Sequence, residues 1–295
     1  MVLGELLARV DRLRDQIAAL RPLDPEQEAR LAQKLNLEWN YHSNAIEGNT
    51  LTLGETRAFL LYGITAQGKP FRDYLEIRGH HEAIRYLEDL VRGGEMLSEA
   101  AIRELHRILL VEPYDVDAIT PDGRPTRRRI VLGQYKTAPN HVRTTTGETH
   151  FYATPQETPA LMGELLIWYR REAAARVLHP LVLAATFHYR FVAIHPFDDG
   201  NGRMARLLTN LILMQHGFVP LIVPLERRGD YLLALEKADA DELADFVALL
   251  GSELIRSLEL TLAAARGEPL EAPGGLDRRI QRLQEELADY RVSRG

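Results

Sequence analysis

His195, Asp199, Arg203 and Arg206 fall inside one twelve-residue run, HPFDDGNGRMAR. A proline disfavours the helical conformation of the residue before it, so His195-Pro196 ends the apolar helix upstream and leaves the imidazole at the mouth of a loop. Gly200 and Gly202 let the backbone turn tightly and gather its N–H groups, and the helix opening at Gly202 presents the positive end of its dipole to an anion. Arg203 and Arg206 stand one turn apart, with both guanidinium forks on the same side of that helix start. Asp199 adds a hard oxygen ligand suited to Mg2+, and a neutral His195 can take a proton from an attacking hydroxyl. The set is equipment for handling a polyphosphate. Within the same loop, Asp198 reads as a solvated carboxylate and Phe197 as a core anchor.

The elements that must hold this loop are helices. Apolar residues recur at three- and four-residue spacing, predicting helices over Met1–Leu20, from Asp24-Pro25-Glu26 to about Ser43, and over Tyr74–Val91, Ser98–Leu110, Thr158–Arg171, Pro180–Ile194, Gly202–His216, Gly229–Ala238 and Asp241–Ala265. The fold class is all-α. One stretch differs: Val131–Tyr152 is rich in Thr, Tyr and Val with Pro139-Asn140 and Thr146-Gly147 as turn signals, and it predicts a small hairpin. The division expected is an N-terminal helical region (1–100), a core (101–265), a Pro/Gly-rich linker (266–275) and a charged C-terminal helix (276–295).

Composition narrows the function classes. The 295 residues contain no cysteine, which excludes disulfides, thiolate metal sites and a cysteine nucleophile. The N-terminus lacks a signal-peptide apolar core and no apolar run approaches the ~18 residues of a membrane span, so a soluble, cytoplasmic protein without a membrane partner is expected. Net charge is -6 with both signs interspersed, which argues against nucleic acid as a ligand. The run Arg127–Arg129 reads as a solvated edge, and His80, His81 and His188 lack the spacing of a zinc site.

The loop resembles the signature of the Fic family, His-x-Phe-x-(Asp or Glu)-Gly-Asn-Gly-Arg-x-x-Arg, with every specified position present. The resemblance runs from about Asn36 to Leu260 and implies a Fic-fold helical bundle with a β-hairpin flap. It implies a protein adenylyltransferase that moves AMP from Mg-ATP to a Ser, Thr or Tyr hydroxyl of a protein substrate, with ATP and Mg2+ required. His195 then resembles the general base, Asp199 the Mg2+ ligand, and Asn201 a contact to the α-phosphate region. Gly200 and Gly202 line the nucleotide loop, and Arg203 and Arg206 resemble the pair gripping the β- and γ-phosphates. Tyr231 or Leu232 is placed against the adenine, with Asp239 where asparagine is frequent. Asn140, His141, Val142 and Arg143 belong to the target-binding flap, and Lys136 stands where the family often has arginine.

A second motif, Ser43-Asn44-Ala45-Ile46-Glu47-Gly48, resembles the family's N-terminal inhibitory motif, (Ser or Thr)-x-x-x-Glu-(Gly or Asn). By that resemblance Glu47 pairs with Arg206 and restrains AMP transfer. In several relatives the same glutamate assists removal of AMP, so a reverse, de-AMPylating activity is implied as well. Relatives of this architecture often pair, which makes a homodimer an expectation. Two other readings compete: a non-catalytic nucleotide-sensing helical module, and a phosphotransferase of the related Doc type. The first has no use for a base beside the phosphates, and the Gly200–Gly202 arrangement disfavours the second.

Overall fold

The computed structural model describes residues 2–119, 124–140, 142–143, 149–238, 242–268 and 270, with 119, 142–143 and 149–150 described by their backbone alone. Ten α-helices lie among them: α1 (Leu3–Ala19), α2 (Pro25–Ile46), α3 (Leu53–Tyr62), α4 (Phe71–Gly93), α5 (Glu99–Leu110), α6 (Thr158–Ala175), α7 (Pro180–Ile194), α8 (Asn201–Gln215), α9 (Arg228–Ala238) and α10 (Leu243–Ala265). Local chemistry sets their starts. Asp24 accepts from the Glu26 and Gln27 N–H groups with Pro25 in the first turn of α2, and Ser98 accepts from Ala101 N–H at the start of α5. α3 was absent from the periodicity, because its ten residues are mostly half-buried and carry no clear apolar stripe. It is held instead by a capping box in which the Thr52 hydroxyl accepts from Glu55 N–H and the Glu55 carboxylate accepts from Thr52 N–H at 2.7 Å.

Two antiparallel strand pairs lie among the described residues. The expected one appears as β3 (Val142–Arg143) paired with β4 (Thr149–His150). The other, β1 (Tyr114–Ile119) with β2 (Pro125–Ile130), was not anticipated. Its register sets Asp115 opposite Arg129 and Asp117 opposite Arg127, a cross-strand charge match that is its signal in the sequence.

Helix α8 occupies the centre. Met204, Ala205, Leu207, Leu208, Leu211, Ile212 and Leu213 are buried, and so are Arg203, Arg206, Thr209 and Asn210, so the helix is enclosed on every side and packs against α7, α4 and α2. The same core takes in Leu6 and Val10 of α1, Trp39 of α2, Leu87 of α4 and Leu105 of α5, and so draws on residues before and after position 100. Among the described residues no helix is long and apolar enough to cross a membrane. The proposed C-terminal helix (276–295) and most of the linker (266–275) lie outside the described residues.

The packing of α4 on α5 depends on one glycine. A Cβ on Gly79 would stand 2.2 Å from the Leu109 carbonyl oxygen, backbone that cannot step aside. Gly79→Ala is expected to cost about 2–4 kcal/mol by overpacking, read as a lower urea midpoint at unchanged slope; an unchanged midpoint contradicts this packing.

Candidate active site

The loop between α7 and α8 is fixed from below. Pro196 ends α7 as expected, and His195 takes a left-handed conformation (φ 52°, ψ 61°) with its N–H on the Phe191 carbonyl at 3.0 Å. Phe197 is fully buried, its ring stacked on His106 with centroids 3.9 Å apart. That burial contributes roughly 1.5–3 kcal/mol. Asn201 clasps the same residue, its Oδ1 accepting from Phe197 N–H at 2.9 Å and its Nδ2 donating to Phe197 O at 2.8 Å. His106 closes the other side: Nε2 donates to the Asp199 carbonyl at 3.0 Å and Nδ1 accepts from Gly133 N–H at 2.9 Å. Gly200 caps α8 at φ 80°.

Arg203 and Arg206 emerge from the first two turns of α8 and are buried, at 2 % and 5 % exposure. A buried guanidinium demands anionic or carbonyl partners. For Arg206 these are the Glu47 carboxylate at 2.7 Å, the Ser43 hydroxyl at 3.0 Å and the Ser43 carbonyl at 2.8 Å, all from the last turn of α2 or its cap. Glu47 is the C-cap residue of α2, and Gly48 follows at φ 99°. Its carboxylate lies over Gly202 so closely that a Cβ there would be 2.3 Å from Oε1. The Glu47 oxygen thus occupies the ground above the start of α8 that suits an anion. Burial pushes the Arg206 guanidinium toward losing its proton, but the Glu47 charge outweighs it and the pKa is raised. Arg203 has partners that sequence reasoning missed: Glu76 of α4 at 3.4 Å and Asn44 at 3.5 Å. Their signal was Asp73, Glu76 and His80, titratable residues at i, i+3 and i+7 on a helix face that is otherwise apolar.

Asp199 accepts from the Tyr114 hydroxyl at the start of β1, with Arg203 at 3.8 Å and Arg72 at 3.9 Å. Burial raises its pKa, yet Arg203, the Tyr114 hydroxyl, the Gly200 N–H and Arg72 together hold it below the usual carboxylate range. Burial and the Asp199 charge push the Tyr114 phenol well above its ordinary value. An ionised carboxylate beside an anion seat fits Mg2+, which takes one or two carboxylates and completes its shell with phosphate oxygens and water. No cluster of three or more acidic or histidine residues is present among the described residues. Asp198 departs from the sequence reading. Rather than solvated, its side chain is 6 % exposed and paired with Arg128 of β2, which also donates to the Ala138 carbonyl at 3.0 Å. Of the basic run, Arg128 is therefore an internal partner, whereas Arg127 and Arg129 face solvent. Signals for Tyr114 and Arg128 lay in the unrecognised β1–β2 hairpin.

The segment leading into β3 reaches His195 itself. Asn140 Nδ2 stands 2.7 Å from His195 Nδ1, and Tyr152 stacks on the imidazole with centroids 4.0 Å apart. Lys136, buried at 2 % exposure, donates to Asn140 Oδ1 at 2.8 Å and to the Ile194 carbonyl at 3.0 Å. Burial lowers its pKa to about 8. Asn140 therefore sits under the loop between α7 and α8, while Val142 and Arg143 form β3 and His141 lies outside the described residues. Of the two residues placed near adenine, Tyr231 is 2 % exposed, its hydroxyl 2.9 Å from His188 Nε2, whereas Leu232 keeps part of its surface open. Asp239 lies outside the described residues.

Comparison with known proteins follows the same lines. The profile of the Fic/DOC family matches residues 96–213. A solved Fic-domain-containing signalling protein from Bacteroides thetaiotaomicron is 38 % identical, with a TM-score of 0.81 over 90 % of this chain and 100 % of that one. Residues 134–508 of Fic-1 from Caenorhabditis elegans are 30 % identical, with a TM-score of 0.72 over 90 % of this chain and 73 % of that one. A protein adenylyltransferase Fic from Nematostella vectensis is 32 % identical over 267 residues, which are 90 % of this chain and 58 % of the relative. The chain thus spans roughly half to three fifths of the curated relatives it matches.

Behind Arg206, His188 is fully buried between Thr209 and Tyr231, and burial lowers its pKa to about 3. An unfolded histidine takes up its proton near pH 6.5, as estimated from model peptides. Between there and about 3 the unfolded chain binds the extra proton, so this group's contribution to stability falls as pH falls. Unfolding free energy, measured by urea titration, should drop by up to about 1.4 kcal/mol per pH unit across this window, and His188→Gln should flatten that slope. A wild-type curve as flat as the variant's contradicts the assignment.

Proposed function

This chain belongs to the Fic family, and from that premise we propose that it is a protein adenylyltransferase restrained by its own Glu47. The observation that carries the reading is the position of the Glu47 carboxylate, 2.7 Å from buried Arg206 and directly above Gly202. An anionic oxygen already stands where a nucleotide's terminal phosphate would be gripped. While the pair holds, the phosphate chain cannot take that seat, and the α-phosphorus is not aligned for attack.

With Glu47 displaced, Arg206 and Arg203 grip the β- and γ-phosphates, and the N–H groups at the start of α8 receive phosphate oxygens. His195 takes the proton of the target hydroxyl as its oxygen bonds to the α-phosphorus; the bond to the bridging oxygen breaks and pyrophosphate departs. Asp199 is the residue that would hold Mg2+, whose charge offsets the negative charge gathering on the leaving group. The β3–β4 hairpin is the proposed seat of the target peptide, held through main-chain hydrogen bonds.

Purified protein and its Glu47→Gly variant, incubated with Mg2+ and either α- or γ-labelled ATP, test the proposal. The variant is expected to place α-label on protein at least about tenfold faster than wild type, equivalent to about 1.4 kcal/mol of restraint. Adding His195→Ala to that variant should abolish transfer while leaving ATP binding within a few-fold. γ-label on protein would indicate a phosphotransferase, and label in neither form would favour a nucleotide sensor.

A further inference from the structure

The environment of the His195 ring specifies more than its location. Asn140 Nδ2 lies 2.7 Å from Nδ1 and Asn201 Nδ2 lies 3.1 Å from it. Neither amide can be reversed. Asn140 Oδ1 faces the Lys136 ammonium, which has only protons to offer, and its nitrogen also faces the carbonyls of His195 and Phe197 at 3.2 and 2.8 Å, which only accept. Asn201 is fixed in the same way between the N–H and the carbonyl of Phe197. Both amides therefore present N–H to Nδ1, and a ring nitrogen facing donors must be the unprotonated one.

We propose that Asn140, oriented by Lys136, is a positioning residue that holds neutral His195 as the tautomer with its proton on Nε2. The ring then offers its lone pair only to the two amides, and its opposite edge carries an N–H. A ring so arranged can donate a proton at Nε2 but cannot accept one there until the proton has moved to Nδ1. The flap side of the site thereby adds a restraint on proton abstraction that is separate from Glu47. This consequence rests on His195 being the proton acceptor in transfer; the tautomer itself does not.

The test is a long-range 1H–15N correlation spectrum of the imidazoles in the full-length 15N-labelled protein at about pH 7, where Lys136 is still mainly an ammonium and a histidine near its ordinary pKa is mostly neutral. His195 is expected to show a pyridine-type Nδ1 and a pyrrole-type Nε2. Asn140→Asp keeps the shape but presents an acceptor to Nδ1, and it should invert the two shifts. Lys136→Met frees Oδ1 to turn, and a second, Nδ1-protonated signal should appear for His195. His106, fixed by Asp199 O and Gly133 N–H, serves as the control for an intact loop and should not move. A pyrrole-type Nδ1 in the wild type overturns the proposal, as does an identical His195 pattern in the wild type and both variants with His106 unchanged. Should a variant lose the His106 pattern, the wild-type spectrum alone decides. Failure of the Glu47→Gly variant to transfer AMP, with the expected tautomer present, would count against the proposed activity and leave the tautomer assignment standing.

Discussion

A guanidinium buried among apolar helices must be paired, and the arrangement of this protein around α8 follows from that requirement. Arg206 cannot reach water at 5 % exposure, so the last turn of α2 is drawn over it to supply a hydroxyl, a carbonyl and a carboxylate. Two of these partners are permanent parts of the chain's path. The Glu47 side chain is different: it is 36 % exposed, hangs from the helix cap and can swing into solvent without breaking a backbone bond. An incoming phosphate would replace it at little cost in unpaired charge, because one anion substitutes for another. The same physical need that stabilises the Arg206–Glu47 pair would make Arg206 a receptor for the nucleotide in the proposed reaction.

The rest of the site is held by different means. Phe197 and His106 pin the loop by stacking and burial, and Asn201 staples it to the start of α8. The two loop carboxylates are tied to the β1–β2 hairpin, Asp199 to Tyr114 and Asp198 to Arg128. His195 is tied to the segment before β3 through Asn140 and Lys136. Thus the two buried arginines are held by helices, whereas both loop carboxylates and the His195 ring are held from the hairpin segments.

Much of this was legible in the chain because it is local. Asp24-Pro25, Ser98, His195-Pro196 and the two glycines of the loop each state their own boundary, and α7 falls at Pro180–Ile194 as its apolar run predicts. The arginine pair at i, i+3 was legible as two neighbours on one side of α8, and both are buried there. Partners from distant segments were not legible. Glu76 for Arg203 and Arg128 for Asp198 depend on which distant elements meet. β1 does alternate, Tyr114, Val116 and Ala118 against Asp115 and Asp117, but β2 carries three consecutive arginines and gives no matching pattern. Asn140 reads in the sequence only as part of the Val131–Tyr152 segment, and its contact with His195 Nδ1 depends on how that segment folds against the loop after α7.

The most direct test of the shared anion seat is a crystal structure of Glu47→Gly with Mg2+ and a non-hydrolysable ATP analogue. The γ-phosphate should lie against Arg206 and over Gly202, in the volume that Glu47 fills in the wild type, with Ser43 still bonded to the guanidinium. A γ-phosphate bound elsewhere, with Arg206 satisfied by protein groups alone, would contradict the claim that Glu47 and the nucleotide compete for one site.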